Sequence, residues 1–108
     1  MLNEATFEVF GPVRKIEMEG RKWVRLTVPV DQSYTDRDDQ KVEKTTWFEG
    51  VCFNQKLNEI IQKLNVQDRR VRLKGTIEIG TREFEGRHIR ETTFVIHQLD
   101  LLDPKPRD

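Results

Sequence analysis

Five stretches of the chain alternate apolar and polar side chains with a period of two, which predicts five β-strands. The first stretch begins at Thr6, is interrupted at Gly11-Pro12 and resumes as far as Met18. The other four are residues 22–30, 45–53, 70–81 and 88–101, and the last two are joined by a hairpin whose tip is centred on Glu85-Gly86. Gly75, in the middle of the fourth stretch, predicts a bend of the kind that a closing barrel needs.

A helical period replaces the alternation after the third strand. Asn54 has a side chain suited to capping a helix N-terminus, and we expect the helix to end at Asn65. Four apolar side chains lie between them at the spacing of one helical face: Leu57, Ile60, Ile61 and Leu64. Three strands, one helix and two strands is the order of the OB-fold, an all-β, five-stranded Greek-key barrel whose second and third strands form the surface for oligonucleotides.

The second and third strands both place an aromatic ring away from the predicted core. On the second strand, Trp23, Arg25 and Thr27 alternate with a row of valine and leucine side chains. Trp23 therefore belongs to a DNA-binding platform, to an oligomer interface or to exposed surface. The third strand carries rings on both faces, with Trp47 and Phe53 opposite Phe48. Trp47 is either a stacking surface or core, and Phe53 is a DNA contact, core or a subunit interface.

A polar loop of fourteen residues, 31–44, separates these two strands. Such a length inside a small domain is typical of a functional or mobile loop. Its ring, Tyr34, is expected to be a contact residue because loops seldom bury a lone aromatic side chain.

The composition limits the class of protein. The 108 residues are 35% hydrophobic and 35% charged, which predicts one domain with a small core, over residues 1–102, and a frayed tail over 103–108. Nineteen basic and nineteen acidic residues give a net charge of zero, which argues against binding by bulk charge but leaves local basic patches possible. A single cysteine and the absence of a signal segment or long apolar run predict a soluble cytoplasmic protein.

Nothing in the sequence indicates catalysis or a bound metal or cofactor. His88 and His97 have opposite parity on one predicted strand, and no cysteine or carboxylate pattern completes a zinc site. Asp36, Asp38 and Asp39 lack the glycine and the closing glutamate of a calcium loop. No nucleophile motif or glycine-rich phosphate loop is present. We therefore predict that the protein is not an enzyme.

Several segments resemble the bacterial single-stranded DNA-binding protein family, in the same order over nearly the whole chain. They are Tyr34-Thr35-Asp36-Arg37, Thr45-Thr46-Trp47-Phe48, Phe53-Asn54-Gln55-Lys56-Leu57, Val71-Arg72-Leu73-Lys74-Gly75 and Glu91-Thr92-Thr93-Phe94. The resemblance implies an OB-fold that binds single-stranded DNA without sequence preference, in replication, recombination or repair. It also implies a homo-oligomer, dimer or tetramer, that recruits replication or repair proteins.

The same resemblance implies that bases stack on Trp47, Phe53 and Tyr34, with Phe84 a weaker match. Stacking on a ring contributes roughly 1–3 kcal/mol per base, and interleaved basic side chains neutralise phosphates. The full set of predicted DNA contacts is Trp47, Tyr34, Phe53, Trp23, Arg25, Thr27, Lys56, Arg72, Lys74, Arg82, Phe84, Arg87 and Arg90. The alternative for the basic residues is a solvated surface of mixed charge.

The chain also departs from the family pattern. Glu49 stands where the family usually has a basic residue, whereas Arg72 and Lys74 stand where it is often neutral or acidic. The acidic, apolar-tipped tail that recruits partner enzymes has no counterpart, a feature shared with the primosomal replication protein N group, which is usually dimeric. The alternative function is therefore an OB-fold adaptor of a primosome-like assembly, with Trp23 and Trp47 in protein interfaces and only vestigial DNA binding.

Overall fold

The computed structural model describes residues 4–20 and 22–103, which form eight β-strands and one α-helix. In chain order these are β1 (Thr6–Pro12), β2 (Lys15–Glu19), β3 (Trp23–Asp31), β4 (Tyr34–Thr35), β5 (Lys41–Val42), β6 (Thr45–Cys52), α1 (Gln55–Leu64), β7 (Arg70–Phe84) and β8 (Arg87–Leu101). The order of major elements is the predicted one, and the OB-fold prediction is confirmed.

Six strands form one curled sheet in the order β1-β7-β8-β6-β3-β2, in which only β6 and β8 run parallel. The predicted first strand is divided between its two edges, since β1 pairs with β7 and β2 with β3. The link between β1 and β2 forms hydrogen bonds near both edges of the sheet. The Val13 amide donates to the Arg69 carbonyl (3.0 Å), and the Arg14 amide donates to the Thr27 carbonyl (2.9 Å). The interruption foreseen at Gly11-Pro12 thus lies at Val13-Arg14, where the chain passes from one edge to the other.

The core lies inside this curl. Its fully buried members are Val13, Val24, Leu26, Val28, Cys52, Ile61, Val66, Val71, Leu73 and Ile96. Two half-buried rings, Phe7 and Phe48, pack against it, and the half-buried Phe94 contacts both of them; the three ring centroids are 5.1–5.6 Å apart. Phe48 therefore marks the core side of β6, and Trp47 must point to the other side. Burial also raises the pKa of the Cys52 thiol, as expected of a side chain that packs as core.

Helix α1 begins and ends where the sequence predicts. The Asn54 side chain accepts a hydrogen bond from the Leu57 amide (3.1 Å), and Asn65 takes the left-handed conformation that ends the helix, at φ 49°. Only half of the apolar stripe packs against the core: Leu57 and Ile61 contact it, while Ile60 and Leu64 remain exposed.

The long polar loop has structure of its own. Strands β4 and β5 form a small two-stranded sheet in which Tyr34 lies opposite Val42. The Asp36 carboxylate tightens the turn between them by accepting hydrogen bonds from the amides of Asp38 (2.9 Å) and Gln40 (3.0 Å). A hydrogen-bonded turn of this kind is how aspartate usually stabilises a loop.

The β7–β8 hairpin turns at Glu85-Gly86, as predicted, and both residues have the positive φ (50° and 77°) that a two-residue turn requires. Its strands are longer than predicted, because the ladder continues to the pair of Phe84 and Arg87. Every residue from 78 to 92 is exposed, so the two strands extend beyond the core as a ribbon.

The C-terminal end of the described chain is attached to the sheet. The Asp103 carboxylate accepts hydrogen bonds from the Arg69 side chain and the Arg70 amide, both at 3.1 Å. Residues 104–108, the rest of the predicted tail, lie outside the described residues, as do residues 1–3 and Arg21. Within the described ranges, no helix has the length and apolarity needed to cross a membrane.

The predicted bend at Gly75 is confirmed. The β7–β8 register shifts between Lys74 and Gly75, so that His97 is opposite no residue in the β7 ladder. The two strands approach so closely there that a Cβ on Gly75 would lie 1.8 Å from the Val95 carbonyl oxygen. Only glycine fits at position 75, because any side chain would collide with the backbone of the neighbouring strand. The register shift at this glycine allows the hairpin to curve around the core.

We expect Gly75→Ala to lower the free energy of unfolding by about 3 kcal/mol, the upper end of typical overpacking costs, because the obstacle is backbone rather than a movable side chain. The measurement is urea denaturation followed by circular dichroism. Gly80→Ala on the same strand is the matched control, since nothing lies within 4 Å of its added methyl group. Equal stability of the two variants would contradict the close approach.

Candidate nucleic-acid interface

Trp47 lies on the side of β6 that faces away from the core, and we call this side of the sheet the outer face. The β3–β6 register places Pro29 opposite Trp47, Thr27 opposite Glu49 and Arg25 opposite Val51. Directly paired residues share a face, so these six form one surface on the sheet. Trp47 is 59% exposed. A large ring on a regular strand, fixed by a core on the reverse side, is a rigid and accessible stacking surface.

Two further rings extend this surface at the ends of β6. Phe53 follows the last residue of the strand, and Tyr34 lies in the loop beyond its first residue, Thr45; both rings are more than half exposed. The Tyr34 loop continues directly from the ladder, since the Gln32 amide donates to the Lys44 carbonyl (2.8 Å). Trp47 thus lies on β6 and Phe53 directly after it, while Tyr34 lies in the loop that leads into the strand.

Trp23 is less accessible than the sequence pattern implies. Its indole Nε1 donates to the Glu19 carboxylate (3.1 Å), and the Arg25 guanidinium lies over the ring, 5.2 Å from its centroid. Arg25 in turn forms an ion pair with Glu17, at 3.5 Å. The half-buried Trp23 and its partners thus form a preorganised cluster at one border of the outer face.

Two of the other predicted contacts lie near this surface. Thr27 is on the outer face but only 8% exposed, so its side chain offers little area to a ligand. Lys56 is exposed in the first turn of α1, three residues after Phe53.

The hairpin ribbon divides the remaining predicted contacts between its two sides. The β7–β8 pairing places Arg82 with Ile89 and Phe84 with Arg87 on one side, together with Thr93. Thr93 also borders Glu49 and Val51, so this side continues the outer face. Arg90, opposite Thr81, lies on the reverse side of the ribbon. The structure thus brings Arg82, Phe84 and Arg87 onto the same surface as Trp47, and it does not bring Arg90 there.

Arg72 and Lys74 lie on a different part of the sheet, near the β1 edge, where β8 and β6 separate them from β3. The Arg72 guanidinium is bonded to the Asp100 carboxylate (2.7 Å), and the Lys74 ammonium lies 3.8 Å from Glu8. Hydrogen bonds from Gln98 and Arg72 hold the pKa of Asp100 below its ordinary value. Asp100 therefore remains charged at neutral pH and competes with any phosphate for Arg72.

A recess that the sequence pattern did not indicate lies in the outer face. It has a volume of about 280 Å³ and is lined by Arg25, Glu49, Val51, Thr92, Thr93 and Phe94. It exists because β6 and β8 pair in parallel, at Gly50 with Phe94 and at Val51 with Val95. Alternation along each strand gave the side that each residue faces but could not show that these two strands are neighbours.

The described residues provide no metal site. Among residues 4–20 and 22–103, no group of three or more histidine, cysteine, aspartate or glutamate side chains is arranged to hold an ion. The outer face and the hairpin ribbon offer exposed rings and guanidinium groups, which suit bases and phosphates.

Solved structures of similar fold come from several organisms. A Plasmodium falciparum SSB in complex with single-stranded DNA superposes with a TM-score of 0.77 at 20% identity, covering 95% of this chain and 98% of that one. A small single-stranded DNA-binding protein from Streptomyces coelicolor gives 0.59 at 18% identity, covering 93% and 95%. The mitochondrial single-stranded DNA-binding protein Rim1 of S. cerevisiae gives 0.66 at 15% identity, covering 93% and 96%. At these identities the likeness shows the fold.

Membership of a family is decided by the sequence itself. No curated protein matches the chain significantly. The sequence profile of the single-strand binding protein family, however, matches residues 9–102, which include β2 to β8, the helix and the whole outer face. The chain therefore belongs to the single-strand binding protein family.

Proposed function

We propose that the outer face and the adjoining side of the hairpin ribbon bind single-stranded DNA by stacking its bases on exposed rings. Membership of the single-strand binding protein family makes single-stranded DNA binding the function of the chain. The observation that carries the proposed site is Trp47, which is 59% exposed on a strand whose opposite side is core.

Stacking provides most of the binding energy in this proposal. Tyr34 in the preceding loop, Trp47 on β6 and Phe53 directly after it each present more than half of their surface to solvent. Each stacked base contributes about 1–3 kcal/mol without hydrogen bonds that read its identity. Phe84 extends the same surface along the hairpin, where it lies opposite Arg87.

Electrostatic attraction is the smaller contribution. Of the predicted phosphate contacts, Arg25, Arg72, Lys74 and Arg82 already form ion pairs with carboxylates. Lys56, Arg87 and Arg90 form none with the described residues, and of these Arg87 lies on the outer face. DNA must displace these carboxylates to reach the paired cations. Binding therefore releases fewer counterions than the number of basic residues alone would give.

The ligand, the assembly and the setting complete the proposal. The Plasmodium falciparum SSB of similar fold forms a complex with single-stranded DNA, which supports DNA as the ligand here. A homo-oligomer, dimer or tetramer, would join several weak sites along one strand and raise their effective concentration. We place the protein in the cytoplasm, in replication, recombination or repair, with other proteins of these processes as partners and with no catalytic step. No observation favours the adaptor alternative.

Replacement of Trp47 tests the stacking site. Trp47→Ala should weaken binding of a labelled oligonucleotide by about 5- to 150-fold, the equivalent of one lost stacking contact. Fluorescence anisotropy measures the affinity, and light scattering measures the oligomeric state. Trp47→Phe retains a ring and should preserve most of the affinity. A Trp47→Ala protein that dissociates or unfolds would instead place this ring in a protein interface.

Salt dependence tests the electrostatic contribution. Because the net charge is zero and most of the predicted phosphate contacts are paired, we expect a shallow dependence of affinity on salt. The measurement is quenching of the tryptophan fluorescence by single-stranded oligonucleotide at several salt concentrations, with a duplex as control. A slope that corresponds to more than about six neutralised phosphates per protomer would contradict this expectation.

The ion pair between Arg72 and Asp100 tests whether the DNA path reaches β7. Asp100→Asn releases the guanidinium from its carboxylate, so binding should become tighter and the salt dependence should rise by about one phosphate. Asp68→Asn is the matched control, because it releases Arg14, at the link between β1 and β2, from a similar exposed ion pair (3.0 Å). The same change in both variants would indicate only a general effect of net charge.

A further inference from the structure

Glu49 places a negative charge in the middle of the outer face, two residues after Trp47 and directly opposite Thr27. Its side chain is exposed and forms no ion pair or side-chain hydrogen bond with the described residues. A carboxylate at this point repels phosphate groups. The carboxylate therefore weakens the binding of a DNA strand unless a hydrogen-bond donor of the DNA contacts it.

The surroundings of Glu49 fit one base. The recess beside it measures about 280 Å³, just below the range of roughly 300–1,000 Å³ that holds drug-sized ligands. Val51 provides an apolar wall, and Thr93 provides the side next to the hairpin. Arg25 provides a cation that Glu17 and the Trp23 ring hold in place. Such a recess accommodates a flat heterocycle, with polar groups at its rim.

Glu49 itself lines the recess, so a base that enters it lies against the carboxylate. Residues two apart on a strand point the same way and lie about 7 Å from one another, so this base is the neighbour of the base that is stacked on Trp47. The carboxylate is an acceptor-only group with two oxygens.

We propose that Glu49 makes this surface select guanine over thymine for the base that occupies the recess, next to the base stacked on Trp47; the inference rests on the proposed function. An unpaired guanine has two adjacent donors on its Watson–Crick edge, the N1–H and the 2-amino group, which match the two oxygens of a carboxylate. Thymine has carbonyl oxygens on both sides of its single N–H, and these face a carboxylate unfavourably. Proteins that bind single strands commonly read this edge.

The test compares three oligonucleotides of equal length on the full chain by competition anisotropy. One is all dT, one carries isolated dG residues flanked by dT, and one carries deoxyinosine in place of each dG. Deoxyinosine keeps the N1–H but lacks the 2-amino group. We expect the dG oligonucleotide to bind at least about fivefold more tightly than dT, the lower limit for one bidentate base contact, and deoxyinosine to lose most of this gain.

Glu49→Gln should reduce the preference for dG over dT to below about twofold and tighten binding of dT, because the charge and one acceptor are removed. Glu78→Gln is the matched control. Glu78 is also exposed and without an ion pair among the described residues, and it lies opposite Thr93 on the next strand but one. Its replacement should tighten binding of all three oligonucleotides equally.

Each outcome has a separate meaning. The selectivity is overturned if the wild-type protein binds the three oligonucleotides equally. It is also overturned if the preference for dG survives Glu49→Gln, or if Glu78→Gln loses that preference to the same extent. Failure of the wild-type protein to bind any of them would overturn the proposed function instead. The deoxyinosine comparison uses the wild-type protein alone, so it remains decisive if a variant does not fold.

Discussion

The parallel contact between β6 and β8 is the constraint on which the rest of the structure depends. One half of the sheet, β2, β3 and β6, and the other half, β1, β7 and β8, meet across it at only two residue pairs. The contact is close because Gly50 faces Ile96, where a Cβ would approach the isoleucine side chain to 2.8 Å. It closes the core on the inner side and forms the recess on the outer side, so the core and the recess depend on the same contact.

The charges of the protein are largely matched within the chain. Arginines that would meet DNA are held by carboxylates on neighbouring strands, as in the pairs of Arg72 with Asp100 and of Arg82 with Glu91. Exposed pairs of this kind contribute little to stability, typically about 0–1 kcal/mol. Their larger consequence is for binding, because each pair must open before its cation can meet a phosphate. Such a surface favours stacking over electrostatic attraction, and it makes the position of each carboxylate significant.

Features set by short-range chemistry could be predicted from the sequence. Alternation gave the strands and the opposite sides of Trp47 and Phe48. The caps of α1, the turn at Glu85-Gly86 and the bend at Gly75 were also predictable, because each depends on the conformational or hydrogen-bonding preference of one or two residues. The family resemblance then pointed to the rings along β6 as the candidate site.

Features that depend on the pairing of distant strands were decided only by the tertiary structure. Arg72 and Arg82 have the same parity on β7, yet one lies against Asp100 near the β1 edge and the other on the hairpin ribbon. The exposure of Ile60 and Leu64 likewise depends on how much of α1 the curled sheet covers. The sequence by itself determined which side each residue faces, since a period of two is local to a strand. Only the assembled sheet decided which side chains meet, since that depends on register between residues far apart in the chain.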